Sequence, residues 1–217
     1  MQASVDRLPN GQFVLWPKDD LTYYIAKQEC KIADFYLRDG RTLSDEQRRK
    51  IFAIIRDIAE YSFDDPEYIR GILSWNFREQ YDCDAFSLST RRDNALDMST
   101  SSEFISYLLD FCLRNGVPMR QRITDRTDDI ANAMYLCLKH RKCAVCGRPA
   151  DVHHIDSIGM GRDRERVIHK GLQAIALCRI HHTEAHRTGW RDFKEKYHVC
   201  GVKLDEYLCR TLGLKEE

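Results

Sequence analysis

KHRKCAVCGRPADVHHIDSIGMG (residues 139–161) and GLQAIALCRIHHTEAHRTGW (residues 171–190) carry most of the chemistry in this chain. Cys143-x2-Cys146 and Cys178-x2-His181 are ligand pairs of identical spacing, the second beginning 32 residues after Cys146. Two short pairs of soft ligands can close a tetrahedral shell around Zn²⁺, and Gly147 follows the first pair, as a knuckle turn prefers. Cys143, Cys146, Cys178 and His181 are therefore expected to hold a structural zinc. Such a site contributes on the order of 10 kcal/mol to folding, in a segment with few apolar residues of its own.

Four more histidines, His153, His154, His182 and His186, are too many for one closed zinc shell. His182 and His186 are four apart and share one helix face. His153 and His154 lie in VHHI, which reads as a strand, so their side chains point to opposite faces. One of them could ligate a metal while its neighbour addresses a substrate. Asp151 and Asp156 flank this strand and could orient a ring nitrogen. An ordinary solvated turn is the better reading of Asp156.

The charge pattern fits a polyanion partner in this half of the chain. The 217 residues carry 34 basic and 34 acidic side chains. Residues 139–217 hold 16 basic against 11 acidic, a balance of +5, and residues 1–138 hold 18 against 23, a balance of −5. Arg141, Lys142, Arg148, Arg162, Arg164, Arg166, Lys170 and Arg179 surround the cluster and could bind backbone phosphates. GMGRDRER reads as a charged loop after the strand. MQASVDRLPN lacks the apolar core of a signal sequence, no stretch approaches the ~20 apolar residues of a membrane span, and nine cysteines without an export signal argue for reduced thiols. The expectation is a soluble, cytoplasmic protein with no membrane partner.

Upstream, residues 12–38 read as strands ending at the Asp39-Gly40 turn. Ser44 with Gln47 forms a capping box for a helix whose buried face is Ile51, Ile54, Ile55 and Ile58. Arg48, Arg49 and Lys50, with Arg91 and Arg92, are candidate DNA contacts, although a solvated face is the better reading of the first three. Asp65-Pro66 starts a second helix. A third begins near residues 100–102 and stops at Asn115-Gly116. A fourth is expected over residues 124–139, with Ile130, Met134 and Leu138 along its buried face.

DVHHI, the two-pair knuckle and LCRIHHTEAH resemble the HNH endonuclease family and the ββα-metal core of colicin-type DNases, over about residues 140–190. The resemblance implies His154 as general base, His153, His182 and His186 as ligands of a catalytic divalent ion (Mg²⁺, or another such as Mn²⁺ or Ni²⁺), and products with 5′-phosphate and 3′-hydroxyl ends. The family's middle Asn has no counterpart, since no Asn lies between His154 and Cys178; His169 and Gln173 are the nearest polar candidates. TLSDEQRRKIFAIIRDIAE and TSSEFISYLLDFCLRNGV, within about residues 40–118, are similar to the phage NinB/Orf recombination proteins. The whole chain resembles the HNHc nucleases of phages and prophages.

These readings imply an α+β protein: a mixed strand/helix N-terminal domain over residues 1–122, a connecting helix over 123–139, and a small ββα-metal (HNH/His-Me finger) domain with a zinc knuckle over 140–217. The function implied is metal-dependent DNA cleavage in phage recombination or replication within a bacterial host cell. The front half would bind DNA, a single-strand binding protein or a second copy of the chain. The alternative is a zinc-stabilised recombination mediator whose core is weak or inactive. A hydrolase of another class is disfavoured by the absence of H-E-x-x-H and of a deaminase signature.

Overall fold

A computed structural model describes residues 3–8, 13–17, 41–90, 92, 94–156 and 168–215. The chain forms two compact units, Met1–Leu37 and Arg38–Glu217. In the first, β1 (Ala3–Arg7) pairs antiparallel with β2 (Phe13–Pro17). β2 agrees with the start of the expected strand region. The rest of that region, the Asp39-Gly40 turn, Arg91 and the GMGRDRER loop with Arg162, Arg164 and Arg166 lie outside the described residues.

The larger unit begins with α1 (Asp45–Ser62). Ser44 Oγ accepts the Gln47 N–H at 3.1 Å while the Ser44 N–H donates to Gln47 Oε1 at 3.0 Å, completing the capping box. Ile51, Ile54, Ile55 and Ile58 are buried, as their spacing predicts. Two members of the basic trio on this helix have internal partners. Arg48 donates to the Leu88 carbonyl and lies over Phe52, and Lys50 reaches Thr127 O, Asp128 and Glu46.

Asp65 caps α2 (Pro66–Tyr81), with Pro66 in the first turn, where its missing N–H costs nothing. α3 (Met98–Asn115) starts two residues earlier than its sequence suggests, because Asp97 rather than a Thr or Ser is the cap and accepts the Thr100 N–H. It ends at Gly116, whose φ of 68° suits glycine.

The single helix expected over residues 124–139 is two, α4 (Ile123–Arg126) and α5 (Ile130–Lys139). The Thr127 hydroxyl accepts the Asp129 N–H and donates to the Asp129 carbonyl, while the Asp129 carboxylate caps Asn132. These local bonds offer the backbone an alternative to helix. The break turns Ile130 outward, to 39% exposure, whereas Met134 and Leu138 are buried as expected. α5 packs against α3 and also against the sheet and C-terminal helix described next.

β3 (Asp151–His154), β4 (Gln173–Leu177) and β5 (Val202–Lys203) form an antiparallel sheet in that order. α6 (Arg179–Thr188) follows β4 directly, and α7 (Trp190–Tyr197) and α8 (Glu206–Leu212) complete the unit. Its buried core is continuous from Leu43 to Leu212. The protein is thus α+β. Among the described residues no helix is long and apolar enough to cross a membrane.

One ion pair lies inside this core. Arg126 Nη2 donates to Asp57 Oδ2 at 2.9 Å, tying α4 to α1, and Arg126 Nε and Nη1 have no hydrogen-bond partner among the described residues. Removing the carboxylate leaves a buried guanidinium uncompensated. Asp57→Ala should therefore destabilise the protein by about 3–5 kcal/mol, read from the urea unfolding midpoint. The double variant Asp57→Leu/Arg126→Met should recover much of that loss.

Candidate metal centres

The first centre is built by a turn, a strand end and the first turn of a helix. Cys143 N–H donates to Arg148 O, and Gly147 N–H, at a φ of 68°, donates to Cys143 O, closing the knuckle. Ala144 N–H donates to Ala176 O and fastens the knuckle to β4. Cys178 is the N-cap of α6, and His181 lies in that helix's first turn. These connections bring Cys143, Cys146, Cys178 and His181 together.

Their separations suit one ion. Zn–S of about 2.3 Å and Zn–N of about 2.0–2.1 Å in a tetrahedron imply S···S edges near 3.8 Å and S···N edges near 3.5 Å. Cys146 Sγ lies 3.7 Å from Cys178 Sγ, and His181 Nδ1 lies 3.4 Å from Cys143 Sγ and 3.3 Å from Cys178 Sγ. Burial pushes the Cys143 thiol up to about 12, so that sulfur needs a cation beside it to ionise at neutral pH. Burial raises Cys146, but hydrogen bonds with Arg148, Cys143 and Cys178 together outweigh it and hold this thiol below its ordinary value. Tyr197 packs edge-on against His181 and donates its hydroxyl to Glu184.

The second centre joins a strand to a helix. His153 on β3 is buried against α6, and His182 and His186 project from one face of that helix. Ring centroids are 4.6 Å apart for His153 and His182, 4.8 Å for His153 and His186, and 4.7 Å for His182 and His186. Three imidazoles bound at about 2.1 Å to one ion, spread by 90–110°, would place their centroids about 4.6–5.3 Å apart. The three histidines therefore fit a shared divalent ion, with coordination positions left over. Burial, followed by the neighbouring His182 and His186, drives His153 down to about 4, and burial lowers His182 as well. His153 is consequently neutral at physiological pH, the form that ligates metal.

His154, next along β3, points away from this trio as strand alternation requires. Its Nε2 lies 2.8 Å from Nδ1 of His169. Burial, with His169 beside it, lowers the pKa of His154. Asp156 has a structural task that its exposure conceals: its carboxylate accepts the Gln173 N–H at 2.7 Å and joins the end of β3 to the start of β4. Gly201 passes so close that an added Cβ would lie 2.4 Å from Ile155 Cδ1. Neither partnership has a local sequence signal, because each spans the loop or the sheet.

The cations expected around the site are dispersed. Arg141 donates to Leu212 O at the end of α8, and Lys170 pairs with Glu206. Arg148 lies over the Cys146 and Cys178 sulfurs. Lys142 is half-buried and its backbone bridges to Pro149, while Arg179 is exposed in the first turn of α6, close enough to help lower the pKa of His182. Arg162 and Arg164 lie outside the described residues. A cleft of about 420 Å³ between residues 116–123 and 142–148 borders the knuckle, and none of His153, His154, His182 and His186 lines it.

A family model described as "Putative HNHc nuclease" matches residues 19–215. No curated protein and no solved structure matches the chain.

The knuckle geometry makes a separable prediction. Cys143→Ser with Cys146→Ser should lower bound zinc by one equivalent, measured by elemental analysis, and lower the melting temperature. Unchanged zinc and unchanged melting would contradict a structural ion at this centre.

Proposed function

The chain belongs to the HNHc nuclease family, and we propose that it is a metal-dependent DNA endonuclease that hydrolyses phosphodiester bonds. The observation that carries this reading is the His153–His182–His186 cluster, a complete ligand set separate from a second complete set at the knuckle. A zinc knuckle alone has no need of these histidines. In this account Cys143, Cys146, Cys178 and His181 hold structural zinc, and residues 140–217 make up the nuclease part.

His154 serves as general base. Burial keeps its imidazole neutral at physiological pH, so it can take a proton from the water that attacks phosphorus in line. His153, His182 and His186 hold the catalytic ion, whose chemistry is to neutralise the phosphate and stabilise the departing 3′ oxygen. Three imidazoles suit Mn²⁺ or Ni²⁺ better than Mg²⁺, which prefers oxygen ligands. Strand alternation sends His153 to the ion and leaves His154 for the base's role. Arg179, exposed beside His182, is available to a DNA phosphate. Support for a role in phage recombination comes from the similarity of residues 40–118 to NinB/Orf proteins.

A second reading, a zinc-stabilised DNA-binding mediator with an inactive core, draws on the missing Asn. The Asp156–Gln173 bond weakens that argument, because it supplies a clamp between the strands at the same loop.

Purified protein incubated with supercoiled plasmid and Mg²⁺, Mn²⁺ or Ni²⁺ should nick or linearise it. His154→Ala should reduce the rate by about 10²–10⁴-fold at unchanged zinc content. Cutting by His154→Ala at the wild-type rate would show the base to be misassigned. No cutting by either protein, with zinc bound and DNA shifted in a gel, would favour the mediator.

A further inference from the structure

The contact between His154 and His169 has a chemical consequence for the base. A neutral imidazole has one N–H donor and one bare acceptor nitrogen, so a hydrogen bond at one nitrogen decides what the other can do. Here the bond occupies His154 Nε2 and His169 Nδ1, 2.8 Å apart. If Nε2–H of His154 donates, its Nδ1 is left with a bare lone pair and can accept a proton from water. The reverse arrangement would place the proton on Nδ1 of His154 and leave no basic nitrogen free. We infer that His169 is a positioning residue for His154, accepting its Nε2–H and so fixing both the ring and the tautomer that a general base needs. This inference rests on the reading of His154 as the base.

The surroundings of His169 support that task. Its backbone N–H donates to Lys215 O, and its carbonyl accepts the Leu172 N–H in the turn that enters β4. The neighbouring Lys170 pairs with Glu206 on α8. His169 is thus anchored to the C-terminal segment and to β4. The Asp156–Gln173 bond and the Ile155 N–H to Gln173 O bond hold the end of β3 against the same turn. Two short anchored segments therefore meet at the two rings.

An imidazole acceptor also differs from the carboxylate that commonly orients a catalytic histidine. A carboxylate adds charge that favours the imidazolium, whereas a neutral ring selects the tautomer without it. His169 carries its own proton on Nε2 in this arrangement, and the proton taken from water comes to rest on His154 Nδ1 with the Nε2–H bond to His169 kept.

The test compares His169→Ala with His169→Asn, whose Oδ1 can take the position of the histidine Nδ1 and accept the same bond. His169→Ala should lower kcat for plasmid nicking by roughly 10–100-fold with KM and zinc content little changed, and His169→Asn should restore most of it. Long-range ¹H–¹⁵N spectra of the ¹⁵N-histidine-labelled protein give a readout that needs no activity. His154 should be the Nε2–H tautomer in wild type and His169→Asn, and should lose that preference in His169→Ala. An Nδ1–H tautomer in wild type, a tautomer indifferent to His169→Ala, or wild-type kcat in that variant would each overturn the inference. A wild-type protein that cuts no DNA would instead count against the nuclease reading, while the spectra still decide whether His169 holds the His154 ring.

Discussion

The antiparallel pairing of β4 with β3 sets the register on which both candidate metal centres depend. Opposite Ile175 stands His153, and opposite Ala174 stands His154, so a slip of one residue would exchange their faces. At the other end of β4, Ala176 O receives the knuckle's Ala144 N–H, and the strand runs straight into Cys178 and α6. One buried strand thereby fixes the distance from the cysteines to His181 and from His153 to His182 and His186. Its residues Ala174, Ile175, Ala176 and Leu177 are almost wholly buried, so hydrophobic burial as well as backbone bonding resists a slip.

The two candidate centres differ in donor chemistry. Three sulfurs and one imidazole form a closed set suited to a structural ion, and they join the knuckle turn to the end of β4 and the first turn of α6. Three imidazoles, the buried His153 of β3 with His182 and His186 of α6, form an open set that leaves coordination positions unfilled. His181 and His182 are adjacent in sequence yet belong to different clusters, because successive helix positions are about 100° apart. Strand alternation separates His153 from His154 in the same way. Two HH pairs, one in a strand and one in a helix, are therefore read correctly only once the secondary structure is known.

Much of the site was legible because its signals are local. The paired C-x2-C and C-x2-H spacing, the i, i+4 histidines and the VHHI strand each follow from a few adjacent residues, and the structure brings each group together. The Ser44–Gln47 capping box, the helix start at Asp65-Pro66 and the stop at Gly116 are local in the same sense. The break at residues 127–129 was not legible from apolar spacing, because a hydroxyl and a carboxylate compete there with helix hydrogen bonds. Nor could composition show that Arg141 caps α8, that Arg148 faces two sulfurs, or that Asp156 joins two strands. Those roles depend on long-range neighbours. A basic residue near a site is as readily a scaffold element as a phosphate contact.

Two separate clusters of different donor chemistry call for two different ions. Anomalous diffraction from a crystal grown with Mn²⁺, recorded at the zinc and manganese edges, tests this directly. Zinc should be found bound by Cys143, Cys146, Cys178 and His181, and manganese by His153, His182 and His186. A single ion at the cysteines, with no anomalous density among the three histidines at saturating Mn²⁺, would contradict it.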